Sequence, residues 1–363
     1  MSNHKIDRQA RLLESIELRG LTARNRIMVS PMCQYCAPDA VPHDWHFVHL
    51  GSRAVGGAGI VMPEATAVEP EGRITPYDLG LWNDEQEVAF KRITTFVSEC
   101  GAIPGIQLAH AGRKASHMRP WEDRHPLLPE EGGWEVIGPS ALSWNEGDLI
   151  PREMTTTDID RVIARFKNAA KRALQAGFKV IEIHAAHGYL FHSFLSPLSN
   201  RRSDGYGGDF DGRIRFLLET IEAVRQVWLP EFPLFVRISA TDWADGGWQL
   251  KDTVQLAKRM KLSGVDVIDC SSGGNVRDQE IHVFPGYQVP FAETVRCEAD
   301  IKTAVAGLIS EPTLAEEIVA KGCVDIVVIG RIALWDPYWP HHAAKALKCQ
   351  IKLPIQYERS NIF

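Results

Sequence analysis

Apolar residues in this chain gather in short, nearly continuous runs that alternate with longer stretches of helical period. Eight runs have the length and β-branched content of strands: 26–30 (RIMVS), 59–64 (GIVMPE), 103–108 (IPGIQL), 180–184 (VIEIH), 234–238 (LFVRI), 265–270 (VDVIDC), 301–305 (IKTAV) and 325–329 (DIVVI). A run without polar alternation suits a strand covered on both faces. Helical patterns over 84–100, 157–176, 213–227, 251–262 and 311–321 lie between them. Asp84 is an expected N-cap, 157–176 opens on a Thr-Asp pair, and Gly177, Gly264 and Gly322 are expected stops. Eight strands alternating with helices predict an α/β fold, a (β/α)₈ TIM barrel. An open doubly wound sheet is the rival, but it begins with a Gly-rich turn after its first strand. Here that strand runs into Pro31-Met32-Cys33-Gln34-Tyr35. Residues 111–151, with five Pro and three Trp, are expected to form an active-site flap inserted after the third strand. The expected organisation is a single barrel domain over 1–363, with that flap and a C-terminal tail at 350–363.

Composition narrows the class. The chain is 45% hydrophobic and 24% charged, as globular proteins are. A net charge of −6 gives no footprint for nucleic acid or an anionic membrane. The polar start MSNHKIDRQAR lacks the apolar core of a secretory signal, and no apolar run reaches membrane-spanning length. Seven scattered cysteines fit reduced thiols in a cytoplasm better than a disulfide framework.

Barrel enzymes draw their chemistry from the C-terminal ends of the strands. In order, those ends carry Cys33 and Tyr35; Ala65 and Thr66; Gln107 and His110; His184, His187 and Tyr189; Arg237; Ser271 and Ser272; Gly307; and Gly330 and Arg331. Glycines after strands seven and eight let backbone N–H groups approach an anion, and phosphate sites in barrels favour those two loops. Arg331 adds a candidate bidentate contact. A pair of tight turns is the plainer reading, but two glycines at the two expected strands favour phosphate. His184-Ala185-Ala186-His187-Gly188-Tyr189 admits three readings. It is a metal site lacking an evident third ligand, a set of satisfied core rings, or two imidazoles holding a substrate oxygen while Tyr189 delivers a proton. The third ranks first, and no metal is expected. Cys33-Gln34-Tyr35-Cys36 is a CxxC without redox or zinc context, so Cys33 is expected in the barrel mouth as a soft contact.

Longer segments carry a family likeness. The run 194–216 (FLSPLSNRRSDGYGGDFDGRIRF) and the preceding HAAHGYL resemble the diagnostic segment of the Old Yellow Enzymes. So do 25–35 (NRIMVSPMCQY), 56–75 (GGAGIVMPEATAVEPEGRIT), 106–115 (IQLAHAGRKA), 303–310 (TAVAGLIS) and Ile329-Gly330-Arg331, in order over nearly the whole chain. PMCQY and the closing QYER are similar to the thermophilic-like, or xenobiotic-reductase, subclass. The resemblance implies non-covalent FMN at the barrel mouth, NADPH or NADH as reductant, and reduction of the activated C=C bond of enones or nitro compounds. It implies that Gln107 and Arg237 bind the flavin pyrimidine edge, that Arg237 stabilises negative charge there, and that Ala65, Pro31 and Met32 line the ring. It places Cys33 near N5, His184 and His187 on the substrate carbonyl, Tyr189 as proton donor and Tyr35 in the substrate pocket. It also implies a homodimer or homotetramer in which Arg359 reaches the neighbouring site. Gly212 departs from the Asn usual before the Arg, so a different helix cap is expected; Ala306 stands where some relatives carry a large side chain.

Three rivals remain at this level. A flavin-independent barrel enzyme would need a Schiff-base lysine, for which Lys302 on predicted strand seven is the candidate. A barrel that merely retains FMN as a sensor or store is the second. A related flavin barrel that oxidises dienoyl substrates or demethylates amines is the third; such relatives often add an iron–sulfur cluster, and this chain lacks the clustered cysteines one needs.

Overall fold

The computed structural model describes residues 10–360; the polar start before Ala10 and the last three residues of the tail lie outside the described residues. A hairpin comes first, β1 (Ile16–Leu18) and β2 (Leu21–Ala23), turning at Arg19 with a φ of 52°. The remaining strands are β3 (Ile27–Val29), β4 (Ile60–Val61), β5 (Thr66–Ala67), β6 (Ile103–Ala109), β7 (Ile137–Gly138), β8 (Arg152–Glu153), β9 (Val180–Ala185), β10 (Leu234–Ser239), β11 (Val267–Ser271), β12 (Lys302–Val305) and β13 (Ile326–Ile329). The sheet order is β4-β3-β13-β12-β11-β10-β9-β6-β5, and parallel pairing of β4 with β6 closes eight of these strands into a barrel. All eight expected strands exist, each within two residues at the barrel ends except β4, which stops at Val61 before β5 resumes.

Helices α1 (Asp44–Val55), α2 (Asp84–Glu99), α3 (Thr156–Gln175), α4 (Leu190–Leu195), α5 (Phe210–Arg225), α6 (Leu250–Leu262), α7 (Val289–Ala299), α8 (Pro312–Ala320), α9 (Arg331–Trp335) and α10 (Trp339–Ala346) complete the chain. The cap of α2 is Asn83 rather than Asp84: its side chain accepts from the Gln86 N–H, and Gln86 returns to the Asn83 N–H. Thr155 and Asp158 make the same box at α3, its cap two residues before the expected Thr-Asp start. Gly177, Gly264 and Gly322 take φ values of 90°, 90° and 76°, as left-handed helix stops do. Helices α1, α4, α7, α9 and α10 lie outside the expected set; α7 ends on Asp300 at φ 50° instead of on a glycine.

Strand alternation splits the core in two. Side chains facing inward form one cluster, including Met28, Ile60, Met62, Ile103, Phe235, Val267 and Val328. Ile16, Leu18 and Ala23 of the hairpin join it, so the hairpin plugs the N-terminal end of the barrel. Outward side chains meet the helices in a larger cluster that includes Ile106, Ile181, Val236 and Phe166. With its floor sealed by apolar side chains, the barrel leaves polar inward positions only toward its C-terminal end. The region 111–151 is not a bare loop. Its β7 pairs in parallel with β8, and Arg113, Lys114, Ser116, His117 and Ile137 are buried. Residues 350–357 line a cavity with Arg24, Gly57 and Gly101, at the opposite end from the strand C-termini. No helix among the described residues is long and apolar enough to cross a membrane.

One buried ion cluster locks the upper rim. Glu69, 1% exposed, follows β5 and accepts from His110 Nε2 at 3.1 Å, while Arg161 and Arg165 of α3 reach its other oxygen. His110 thus faces a structural carboxylate instead of the barrel mouth expected of it. Burial pushes the Glu69 carboxyl up, but His110 and Arg161 overcome this and hold it at about 2. A carboxyl depressed from its ordinary 4.5 stabilises the fold fully above that pH and ceases to as pH falls toward 2. Glu69→Gln should therefore cost about 2–3 kcal/mol at neutral pH. Thermal melts of the variant should lose the steep decline between pH 4.5 and 2; an unchanged acid limb would contradict the linkage.

Candidate active site

Cross-strand register brings the polar inward residues together. Gln107 of β6 sits opposite Glu182 of β9, Arg237 of β10 sits opposite both His184 of β9 and Asp269 of β11, and all five are buried. The Gln107 Nε2–H donates to Glu182 Oε1 at 2.8 Å. Arg237 lies with Nε 3.2 Å from Asp269 Oδ2, and its Nη1 donates to Ser30 Oγ at 3.3 Å.

Above this layer the chain turns sharply after β9. His187 and Gly188 take φ values of 59° and 74°. The turn is held by Ser239, whose hydroxyl accepts from the His187 N–H, and by Lys114, whose amine donates to the carbonyls of His187 and Gly274 at 2.9 and 3.1 Å. The result stacks three rings: His184 lies 5.1 Å from His187 and 5.0 Å from Tyr189, both edge-on. Burial first, and Arg237 second, push both imidazoles well below their usual range, so both are neutral at pH 7. A neutral ring has one N–H. His184 Nδ1 accepts from the Ala186 N–H at 3.4 Å, which leaves its proton on Nε2 as a free donor. His187 differs: its Nε2 meets Ser271 Oγ at 2.6 Å, so Nδ1 is the nitrogen left for a ligand. Burial, with Cys33 and Asp78 nearby, raises the Tyr189 hydroxyl well above its usual range, so it keeps its proton.

The rim around these rings holds Tyr35, in a left-handed conformation at φ 51°, and half-buried Pro31, Met32 and Cys33. Burial, then Asp78 and Glu64, push the Cys33 thiol far up, while a hydrogen bond with Tyr35 opposes them. Cys33 is a neutral thiol, unsuited to nucleophilic or disulfide chemistry at neutral pH, and both it and Cys36 are free. Ala65 lines a small hollow with His184, Tyr189, Ala109 and Asp78. The flap's Lys114 is the least expected neighbour. Burial, with Arg124 and Arg113, lowers its amine to about 7, and the amine stacks 4.2 Å over Trp144 and 5.2 Å over Tyr189.

Next to the rings a cavity of about 340 Å³ runs toward β12 and β13, lined by Ser30, Met32, Arg237, Gln288, Gly307, Leu308, Gly330 and Arg331 among others. Its size is in the range of small-molecule sites. Gly307 has a φ of 141°, which side-chain residues rarely adopt, and the next residue, Leu308, is left-handed at 55°. A Cβ on Gly330 would face only Met32 and Ser30, both 3.9 Å away, so its backbone is open to the cavity. An anion-sized cradle at Gly307, Gly330 and Arg331 lies at one end and the Arg237 guanidinium lines the wall; the Gln107 amide lies outside that lining, buried on β6 two strands from Arg237. This donor set fits a flavin phosphate and pyrimidine edge. Ser30, Tyr287 and Gln288 also belong to the cavity, although no motif had drawn attention to them.

Several candidates fall away. Lys302 begins β12 and is exposed at the end opposite the mouth, which removes the Schiff-base lysine. Arg359, expected to serve a neighbouring chain, does not fall away with it and lies on the exposed tail at that same far end. Cys36, His43 and His46 come within metal-binding distance of one another. However, His46 Nδ1 accepts from the His43 N–H in the cap of α1, so its proton lies on Nε2, which faces Glu64 Oε1 at 3.2 Å. Both nitrogens already have partners, and the cluster is a helix cap. Gly212 is accommodated by Asp209, whose side chain accepts from the Gly212 N–H at 2.9 Å.

Comparison with known proteins agrees with this geometry. The family model for the NADH:flavin oxidoreductase / NADH oxidase family matches residues 11–350. The NADPH dehydrogenase of Geobacillus thermodenitrificans is 49% identical over 343 residues, 94% of this chain and 96% of the relative. Among solved structures, the Old Yellow Enzyme homologue of Zymomonas mobilis superposes with a TM-score of 0.76 at 25% identity, covering 95% of each chain. A 2-naphthoyl-CoA reductase superposes with a TM-score of 0.84 at 25% identity, and there the chain spans about half, 52%, of the longer protein. The motif likeness, the closed barrel and the flavin-shaped donor set therefore have one source: the chain belongs to the NADH:flavin oxidoreductase / NADH oxidase family, as an FMN-dependent oxidoreductase of the Old Yellow Enzyme type.

Proposed function

We propose that the protein is an ene-reductase that uses NADPH or NADH to reduce the activated C=C bond of α,β-unsaturated carbonyl or nitro compounds, with Tyr189 as proton donor. The observation that carries this reading is the packing of His184, His187 and Tyr189 in one ring-to-ring cluster beside the cavity. When bound, FMN supplies the hydride chemistry, and the protein supplies orientation and electrostatics. Gln107 and Arg237 would hold its pyrimidine edge, Pro31, Met32, Cys33 and Ala65 would border its ring, and Gly307, Gly330 and Arg331 would hold its phosphate.

The remaining roles belong to the chain. As the C=C bond of an enone is reduced, negative charge builds on its conjugated carbonyl oxygen. His184 donates to that oxygen through Nε2–H, and His187 adds its Nδ1–H when Ser271 donates to its Nε2. Neutral imidazoles suit this task, because they donate without paying for a buried charge before substrate arrives. Tyr189 keeps its proton until carbanion character develops nearby, and Tyr35 and the flap limit water entry. Lys114 holds the His187 turn at the height that the pair requires. Arg359 cannot serve its own site, which supports a homodimer or homotetramer in which it completes a neighbour's.

Tyr189→Phe should slow the enone-dependent half of the cycle by at least about 100-fold, the usual worth of a general acid, and leave the NADPH-dependent half near wild type. Stopped-flow traces slowed equally in both halves would refute the donor role. His184→Ala should weaken phenol binding to the FMN-loaded enzyme about 100-fold or more, read from the long-wavelength absorbance of the complex; an unchanged titration would remove the imidazole donor. Truncation after Gln356 should raise KM while FMN content stays constant. Full activity in a protein of unchanged oligomeric state would show that Arg359 serves no site.

A further inference from the structure

Beneath the mouth, beside Arg237, lie two carboxylates that the scheme above does not use. Glu182 and Asp269 are 0% exposed, and Arg237 is 7% exposed. Glu182 Oε2 and Asp269 Oδ1 have no hydrogen-bond partner among the described residues, while Asp269 Oδ2 and Arg237 Nε meet as an ion pair at 3.2 Å without hydrogen-bond alignment. Unpartnered buried polar atoms are rare in folded proteins, and where they persist they invite a functional reason. Each carboxylate stands in register with one of the two groups proposed to hold the flavin edge. Glu182 pairs with Gln107 and fixes that amide through Oε1. Asp269 pairs with Arg237 and lies 3.2 Å from its Nε.

Two carboxylates and one guanidinium sealed together cannot all be charged cheaply, because a second unpaired negative charge in the interior costs several kcal/mol. Burial raises both carboxyls, with Asp269 adding to the rise at Glu182 and Arg237 opposing it at each. The set therefore holds one proton and one negative charge between two acids, close to neutrality beside Arg237. Without that negative charge, the full guanidinium charge would act on whatever sits over it.

We propose that Glu182 and Asp269 are positioning residues that act on the bound flavin through Gln107 and Arg237, and that the single negative charge they share sets its reduction potential. This rests on the reading that the pyrimidine edge of FMN meets Gln107 and Arg237. The shared charge offsets the guanidinium, disfavours added electrons on the flavin, and so keeps the potential low enough for onward transfer to an alkene. It also explains two strands in which a lone acid interrupts an apolar run, VIEIH and VIDC.

The test is the potential of the FMN-loaded protein at a fixed neutral pH, measured by spectroelectrochemistry for wild type, Asp269→Asn, Glu182→Gln and the double variant. The double variant should favour the reduced state at least tenfold more than wild type, about 30 mV for a two-electron couple. Asp269→Asn alone should give at least a threefold rise, smaller because Glu182 then ionises in its place. Glu182→Gln alone should stay within twofold, so the three variants are non-additive. Should the double variant not fold, the threefold rise in Asp269→Asn decides. Bound flavin at the wild-type potential in both the double variant and Asp269→Asn would overturn the proposal, as would a loss of FMN affinity with no change in potential, the sign of a merely structural role. Wild-type protein that takes up no FMN would instead overturn the underlying reading of the site.

Discussion

Closure of eight parallel strands is the constraint from which the rest follows. Once β4 pairs with β6, every second side chain of every strand must share one interior. At its hairpin-plugged floor that space is filled by buried apolar side chains, chiefly Ile, Val, Phe and Met. Polar inward side chains are tolerable only near the open end, and there they are pressed against each other. Gln107, Glu182, Arg237 and Asp269 meet because strand register gives them no alternative. The same crowding keeps the imidazoles neutral, the tyrosine protonated and the cysteine a thiol.

Much of this was readable from the chain. The eight apolar runs gave the barrel, because strands buried on both faces need no subtle pattern. Strand ends gave Gln107, His184, His187, Tyr189, Arg237, Gly307 and Gly330, since topology alone gathers them. Where the reading failed, the reason lies in tertiary context. His110 occupies a strand end like the others, yet a carboxylate forty-one positions earlier claims its ring. Helix α1 is rich in histidine and aromatic residues, and its cap is a His pair rather than a Ser, Thr, Asp or Asn. Lys114 sits in a flap whose local sequence says nothing about burial; its amine is drawn in by carbonyls from two other loops. The acids Glu182 and Asp269 did leave a signal, single charges inside apolar strands, but its meaning needs the neighbouring strand.

The flap deserves its name only in part. Both ends of it are anchored: near its start Arg113 donates to the backbone and side-chain oxygens of Asn275 and Lys114 to the His187 carbonyl, and near its end Trp144 Nε1 donates to the Gly274 carbonyl. These bonds tie the third, fourth and sixth strand loops into one rim. Rigidity there suits a site whose donors must be aimed before the substrate arrives. The flap's exposed part lies in its middle, around Trp121 and Glu130.

Gly212 bears on how this protein can be recombined with its relatives. A Cβ at that position would fall 2.1 Å from the carbonyl oxygen of Gly207, far inside any permitted contact. The turn from Asp204 to Asp209 and the first turn of α5 are therefore shaped to each other. A chimera that imports only the helix, with an asparagine at its third residue, inherits a collision with the native turn. Exchanging 204–212 as one block preserves the fit on both sides, which makes that segment, and not the helix boundary, the natural seam.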